Sequence, residues 1–399
     1  MIKRHGLFFA SCLLAFTAGH MFNYTVILYL QERVGSDLLS GLGFGLAFGS
    51  SIVFGWFAGV LCDRVAPGRV IHGAHVLFLL GLACLFWAEN GACSNVRTLW
   101  TLIGAFCGGL GWSFVGPARL TALGQIVVPE DLRAATIVFN LQVLLGFGLA
   151  PLLIGLIRAR YPGWNPVLGT AAFGFIGGSV LILSSKTHAV ARLVQQSVRR
   201  DLAEGFAAVR SNPLLAQLML AAVIAYALTG PMQILLPKLA RQMLGLSELE
   251  RGAYLGLLAL ALICGGVLAL VLAKRVPVGA FTFGGIMGGG IMFGSLAFLS
   301  SPLMSAVGLV LVGLCGGFVI SLIVSNIQVQ ALPETRGRVM AMYSITSQVM
   351  PALSGIFAGV LVNASSVAQA IPLAGGLLAL VALLGAVMMP DLRRLKSAG

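Results

Sequence analysis

The stretch Asp63-Arg64-Val65-Ala66-Pro67-Gly68-Arg69 is a short charged loop between two long apolar runs, residues 40–62 and 70–88. Each run is close to the roughly 20 residues that a helix needs to cross the hydrocarbon core of a bilayer. Proline and glycine interrupt regular structure, so the loop separates two helices. The stretch therefore predicts a turn between two membrane-spanning helices, and the same pattern recurs along the chain.

Twelve apolar runs are predicted as membrane helices. They cover residues 7–30, 40–62, 70–88, 98–117, 134–157, 166–185, 213–236, 252–273, 279–299, 305–327, 339–362 and 370–390. The composition agrees, because 58% of the 399 residues are hydrophobic and only 9% are charged, against about 25% charged in soluble proteins. The predicted fold class is an all-α integral membrane protein, which excludes a soluble enzyme.

The chain is predicted to consist of two repeated six-helix halves. The longest polar interruption lies between the sixth and seventh runs, which gives an N-terminal half at 1–185, a cytoplasmic linker with an amphipathic stretch at 186–212, and a C-terminal half with a short cytoplasmic tail at 213–399. Pro129-Glu130-Asp131-Leu132-Arg133 and Pro333-Glu334-Thr335-Arg336-Gly337-Arg338 align at an offset of 204, which also places Gly155 on Gly359. Parallel repeats of this kind are typical of a large class of transporters with a central substrate site.

The basic residues predict the orientation. With the N-terminus inside, eighteen of the 25 Lys and Arg residues fall on the cytoplasmic side, with Arg119 counted among them as a loop residue. Such a bias marks the cytoplasmic face, so both termini are predicted to be cytoplasmic. The net charge of +13 is therefore interpreted as a topology signal with some attraction to membrane lipid, and no nucleic-acid partner is expected.

The loop, extended to Gly59 and Leu61, resembles the loop signature of the major facilitator superfamily, G-x-L-x-D-R-x-G-R-(K/R). The resemblance implies a conformational latch, in which Asp63 contacts the start of the eleventh span, since an acid is stabilised at a helix N-terminus. The latch residues are Gly59, Asp63, Arg64, Gly68 and Arg69.

Further segments resemble the bacterial enterobactin-exporter-type efflux branch of this superfamily. They are Gly116-Pro117-Ala118-Arg119, Asp201-Leu202-Ala203-Glu204-Gly205-Phe206, Leu236-Pro237-Lys238-Leu239-Ala240-Arg241 and Arg336-Gly337-Arg338-Val339-Met340. The fifth span resembles the antiporter signature G-x-x-x-G-P-x-x-G-G through Gly146, Gly148, Pro151 and Gly155, with Ala150 and Ile154 replacing two of its glycines. The resemblance implies efflux across the bacterial inner (plasma) membrane.

The predicted substrate cavity is neutral and rich in amides. Its candidate residues are His20, Asn23, Tyr24, Asn140, Gln142, Gln233, Asn326 and Gln348. By the predicted spans no carboxylate lies at membrane depth, which disfavours a pump for organic cations. His20 is the candidate proton-coupling residue, because histidine has an unperturbed pKa of about 6.5.

The predicted function is secondary active transport by alternating access, with export of a siderophore-like or other amphipathic small molecule. An importer or a lysophospholipid-type flippase of the same fold is the alternative. No enzyme activity, cofactor or metal site is expected, since neither a P-loop nor a metal-ligand spacing of cysteines is present. The expected partners are a substrate, a coupling proton or cation, and membrane lipid, and the protein is expected to be a monomer. A membrane-embedded transferase or a purely structural scaffold fits the sequence less well.

Overall fold

The computed structural model describes residues 5–91, 93–185, 187, 198–272, 275–332 and 334–396. Regular structure in these ranges is helical. The α-helices are α1 (Gly6–Tyr29), α2 (Asp37–Gly49), α3 (Ser51–Arg64), α4 (Pro67–Asn90), α5 (Ser94–Ile126), α6 (Leu132–Arg160), α7 (Asn165–Leu183), α8 (Val198–Ser211), α9 (Pro213–Tyr226), α10 (Thr229–Lys238), α11 (Glu248–Leu272), α12 (Val278–Ser295), α13 (Pro302–Gln330), α14 (Arg336–Ala364), α15 (Val367–Met388) and α16 (Pro390–Arg394).

In the described ranges, twelve helical segments are long and apolar enough to cross a membrane. This confirms the twelve predicted spans. The second span runs from α2 into α3, and the seventh combines α9 and α10 with a π-helical turn, Leu239–Met243. Helices α8 and α16 are not among the candidate spans.

The fourth span is longer than predicted, and this corrects the assignment of Arg119. Pro117 suggested that the helix ends at residue 117, but α5 continues through this proline to Ile126. Neighbouring helices satisfy the backbone groups that a proline frees in a membrane helix. The prediction that Arg119 is a cytoplasmic loop charge was therefore wrong, because its side chain is fully buried.

The duplication is visible in the helix boundaries. Leu132 at the start of α6 corresponds to Arg336 at the start of α14, and Arg160 corresponds to Ala364 at their ends, an offset of 204 residues at both positions. The first and seventh spans also end alike. Each closes in a π-helical turn, and a glycine with positive φ follows, Gly35 (φ 71°) and Gly245 (φ 63°).

The helices form two compact units. The first unit comprises Met1–Val194 with Leu246–Gly256, and the second comprises Gln195–Gly245 with Leu257–Gly399. The boundaries of the predicted halves and linker stay a prediction.

In the first unit α1 packs against α2, α4, α5, α6 and α7. It is apolar around its whole circumference, and 83% of the most apolar part of its span is buried, as expected for a helix without a solvent-facing stripe.

In the second unit α12 packs against α13 and α15, and α10 packs against α14. The linker helix α8 also packs on α14, where Arg338 forms an ion pair with Glu204 at 2.8 Å. The predicted amphipathic linker stretch is thus helical, and its Phe206 side chain is exposed.

Candidate functional site

The polar side chains of α1 meet an aromatic wall inside the first unit. His20 and Asn23 lie about one helical turn apart and are only 8% and 4% exposed. The indole Nε1–H of Trp112 donates to the Asn23 carbonyl oxygen at 3.2 Å. The His20 ring lies between Trp112, at 5.1 Å between ring centroids, and Phe147 of α6, at 5.4 Å.

Two polar atoms of this aromatic site are unpartnered. The Nε2 atom of His20 and the Nδ2 atom of Asn23 are buried and have no hydrogen-bond partner among the described residues. Leaving a buried polar group unpaired costs about 1–3 kcal/mol. Because the Asn23 oxygen is already engaged by Trp112, the free amide N–H groups are available to a ligand that accepts hydrogen bonds.

The other candidate cavity residues of the first unit have different surroundings. Tyr24 is buried, with its ring 5.9 Å from that of Phe147. Gln142 of α6 donates from Nε2 to the carbonyl oxygen of Phe9 at 2.9 Å and so joins α6 to α1. Asn140 is exposed. The structure therefore brings Tyr24 to the aromatic site, whereas Gln142 has a helix-packing contact.

In the second unit the predicted cavity residues lie on three helices. Gln233 of α10 is buried, and Gln348 of α14 is half-buried. Asn326 donates to the Leu322 carbonyl oxygen of its own helix at 2.8 Å. The sequence did not indicate the partly buried contact between the hydroxyl groups of Tyr226 and Tyr343, which lie 2.8 Å apart and join α9 to α14.

The predicted latch lies where α3 ends and α4 begins. The side chains of Arg64 and Arg69 are exposed, and Gly68 is buried. The backbone N–H of Gly68 donates to the Thr187 hydroxyl at 3.1 Å, so the loop is held to the segment that follows α7. Gly59 and Asp63 belong to α3, the side chain of Asp63 lies outside what the structure describes, and the latch role stays a prediction.

The antiporter-like residues of α6 form a close helix contact. Gly155 faces the backbone of Glu248, and an added Cβ would collide with the Glu248 carbonyl oxygen. From the other side, a Cβ added at Gly252 would lie 2.5 Å from the carbonyl oxygen of Pro151. Small residues let membrane helices approach to backbone contact, and α6 and the first turns of α11 use them in this way.

The remaining glycines of the motif face two different helices. A Cβ at Gly256 of α11 would lie 2.9 Å from the Gly148 carbonyl oxygen, which extends the contact between α6 and α11. Gly146 faces α1 instead, where an added Cβ would lie 2.8 Å from the backbone of Phe16. The motif thus supplies close packing on both sides of α6.

Four charged side chains form an ionic network beside this contact. Arg158 lies 2.9 Å from the carboxylate of Glu32 and 3.4 Å from that of Glu248. Arg251 pairs with the same two carboxylates, and the guanidinium of Arg158 stacks on the Trp164 ring at 4.3 Å. The network ties the end of the first span to α6 and to the start of α11. From the sequence, only the Glu248–Arg251 pair of this network could have been predicted, because its i, i+3 spacing places both side chains on one face of a helix.

A second buried cluster centres on Arg119 of α5. Its guanidinium donates to Cys12 Sγ at 2.8 Å and to the Ser11 carbonyl oxygen at 3.2 Å, both on α1. It also lies 3.1 Å from His75 Nε2 on α4, and His75 Nδ1 lies 2.9 Å from the Ser179 hydroxyl on α7. The sequence suggested no such contact, since Arg119 was counted as a residue of a cytoplasmic loop.

An all-helical protein with twelve candidate membrane spans and buried polar groups on the first of them has the architecture expected of a membrane transporter. The family model of the Major Facilitator Superfamily matches residues 7–355. The chain belongs to this superfamily and is a transporter, not an enzyme.

Curated relatives match part of the chain. Macrolide efflux protein A of Streptococcus pyogenes is 25% identical over 224 residues, which is 53% of this chain and 52% of the relative. The same protein from a serotype M6 strain gives the same values. The chain thus spans about half the length of the curated relatives it matches.

Solved structures match over nearly the whole chain. A bacterial homologue of the human lysosomal transporter Spinster has a TM-score of 0.76 at 13% identity, with 98% of this chain and 95% of that chain covered. A peptide transporter, POT, in complex with sulfate has a TM-score of 0.76 at 16% identity, with coverage of 99% and 96%. Identities this low establish the fold alone.

Proposed function

We propose that this chain is a secondary active transporter that exports siderophore-like or other amphipathic small molecules from the bacterial cytoplasm across the inner membrane. The observation that carries the proposal is the site on α1, where the unpartnered polar atoms of His20 and Asn23 lie among aromatic rings. Alternating access would open this site to each side of the membrane in turn.

The chemistry of the site favours a substrate with oxygen acceptors on an apolar frame. The amide N–H groups of Asn23 suit a carbonyl, ether or hydroxyl oxygen, and Trp112 and Phe147 suit apolar or ring surfaces. All twelve acidic residues lie near helix ends or outside the twelve spans, so a carboxylate partner for a cationic substrate at mid-span is missing. Macrolides and siderophore-like molecules both carry oxygen acceptors on an apolar frame, and one relative is named for macrolide efflux.

The direction and the coupling belong to the same proposal. The excess of basic residues on one side supports cytoplasmic termini, and the antiporter-like motif of α6 supports exchange of the substrate for a proton. His20 is the proton-coupling residue that the sequence suggests, and this assignment stays a prediction. The resemblance to the enterobactin-exporter branch supports export, with Asp63 as the proposed latch.

The proposal is tested by accumulation of a radiolabelled macrolide, erythromycin, in bacteria that lack their own macrolide pumps. Expression of the wild type should lower accumulation, and Asn23→Ala should weaken export roughly two- to tenfold, the equivalent of one hydrogen bond of about 0.5–1.5 kcal/mol. The control Asn363→Ala changes an exposed amide at the end of α14 and should behave as the wild type.

A second assay separates the rival functions. Purified protein in liposomes is offered erythromycin, an iron-free catecholate siderophore and a fluorescent lysophospholipid. Proton-driven movement of either small molecule supports the proposal and identifies the preferred class. Movement of the lysophospholipid alone would contradict it and favour the flippase, and inward accumulation in cells would favour an importer.

A further inference from the structure

We propose that His75 is a proton-binding site of this transporter, and that Arg119 controls its occupancy. The site lies in the first unit, where α1, α4, α5 and α7 meet. Arg119 and His75 are both fully buried there, and their contact is the hydrogen bond of 3.1 Å between Nη2 and Nε2.

The geometry fixes the protonation state of the ring in this structure. A guanidinium has donors only and cannot accept, so His75 Nε2 must be the acceptor and carries no proton. The ring proton of the neutral imidazole therefore sits on Nδ1, which donates to the Ser179 hydroxyl at 2.9 Å. His75 is thus held as the neutral Nδ1–H tautomer.

Protonation and the Arg119 contact exclude each other. An added proton binds the Nε2 lone pair, which is the atom that now accepts from Arg119. The imidazolium would then face the guanidinium, and like charges at short range repel. A proton can occupy His75 only when Arg119 has moved away.

The remaining neighbours do not offset this repulsion. Arg119 contacts Ser11 and Cys12 of α1 and lies over the Phe16 ring at 5.4 Å. Two further titratable groups of the described residues belong to this site: His72, one turn earlier on the same helix as His75, and Cys12 of α1, whose sulfur accepts from Arg119. Among the described residues the ion pairs of the chain do not include Arg119.

Proton binding to His75 requires Arg119 to leave it, and this movement would change how the helices pack. Arg119 binds α1 and α4 at once, so its movement frees contacts between α5 and both helices. A ligand shifts a conformational equilibrium only through different affinity for the two states, and the Arg119–His75 contact supplies that difference for a proton. The inference rests on the proposed function only in assigning this proton to transport.

The proton site is tested directly by nitrogen NMR of purified protein with ¹⁵N-labelled histidine, in lipid nanodiscs. The chain has five histidines, and the signals of His75 are assigned as those that disappear from the spectrum of His75→Gln. We expect the His75 signals of the Nδ1–H tautomer at high pH and those of imidazolium once the pH is lowered far enough to release Arg119. Ser179→Ala removes the Nδ1–H acceptor and should raise the share of the other tautomer. An Nε2–H tautomer in the wild type, or a ring that stays neutral throughout, would overturn the proposal.

The role in coupling is tested by flux of erythromycin in liposomes. In His75→Gln the glutamine oxygen accepts from Arg119 and its amide donates to Ser179, so the neutral contacts are kept. We expect this variant to retain exchange at equal pH and to lose the response to a pH gradient, whereas the control His5→Gln, just before the start of α1, keeps that response. Loss of the response in His20→Gln alone would overturn the coupling role of His75. Absence of wild-type flux of both erythromycin and the siderophore would contradict the proposed function, and the NMR result would still decide the proton site.

Discussion

The guanidinium of Arg158 lies 2.9 Å from the carboxylate of Glu32, across two helix ends that are distant in the sequence. Both side chains are mostly buried, at 14% and 12% exposure, so water weakens the pair less than at an open surface. Glu248 also pairs with Arg158, and Arg251 also pairs with Glu32. The start of α11 is therefore held by ionic contacts as well as by its glycine packing on α6.

Arg158→Ala should destabilise the protein by about 1–3 kcal/mol, because the mostly buried carboxylate of Glu32 loses one of its two arginine partners in the network. Thermal unfolding in detergent, followed by tryptophan fluorescence, measures the loss. Arg160→Ala removes an exposed arginine of the same helix and should change the stability by less than about 0.5 kcal/mol. Equal effects of the two substitutions would contradict a special role for the network.

Gly155→Ala should be costly because the new methyl group meets the Glu248 backbone, which cannot move aside like a side chain end. Overpacking of this kind costs about 1–3 kcal/mol, and transport should fall with it if α6 and α11 must close to backbone contact. Gly169→Ala in α7 is the matched control, since nothing lies within 4 Å of its added Cβ, and it should be neutral or stabilising. Unfolding free energies and erythromycin flux are measured on both variants. Equal values for the two variants would contradict the role of the close contact between α6 and α11.

Tyr226→Phe and Tyr343→Phe should each destabilise the second unit by about 0.5–1.5 kcal/mol, because the remaining hydroxyl of this partly buried contact loses its hydrogen bond. The double variant should cost less than the sum of the two, since neither hydroxyl is then left unpaired. A double-mutant cycle of unfolding free energies measures the difference. Strict additivity would show that the hydroxyl contact contributes nothing.

Glu204→Gln should loosen the linker helix α8 from α14. The ion pair with Arg338 is partly exposed, so its loss is expected to cost about 0.2–1 kcal/mol. Hydrogen–deuterium exchange of α8 amides should accelerate by roughly one and a half- to fivefold, because a loss of about 0.2–1 kcal/mol raises the equilibrium constant for local opening by that factor. Arg210→Gln, at an exposed position of the same helix, should leave the exchange unchanged.

The fold was predictable because hydrophobic length alone defines membrane helices. Twelve apolar runs gave twelve spans, and the offset of 204 inferred from two loops reappears at both ends of α6 and α14. Boundaries were less predictable where a proline lies inside a helix, as at Pro117, because the surrounding helices determine whether the break is tolerated.

The contacts of the candidate site were only partly predictable. The sequence indicated His20, Asn23 and Tyr24 because polar residues are rare in an apolar span. It could not indicate that Trp112 binds Asn23 or that Arg119 binds His75, since the partners lie on different helices and no spacing connects them. The glycines of α6 were recognised by motif, but their packing partner on α11 became apparent only in the structure.

The burial of α1 has a consequence for biosynthesis. Its polar atoms at Ser11, Cys12 and Asn23 find their partners on α5 and α7, which the ribosome makes later. An unsatisfied polar group in hydrocarbon costs several kcal/mol, so α1 is poorly suited to lipid when it is first inserted. We therefore expect the insertion machinery to shelter α1 until α7 has been synthesised, so that the first span made is among the last to reach its final surroundings.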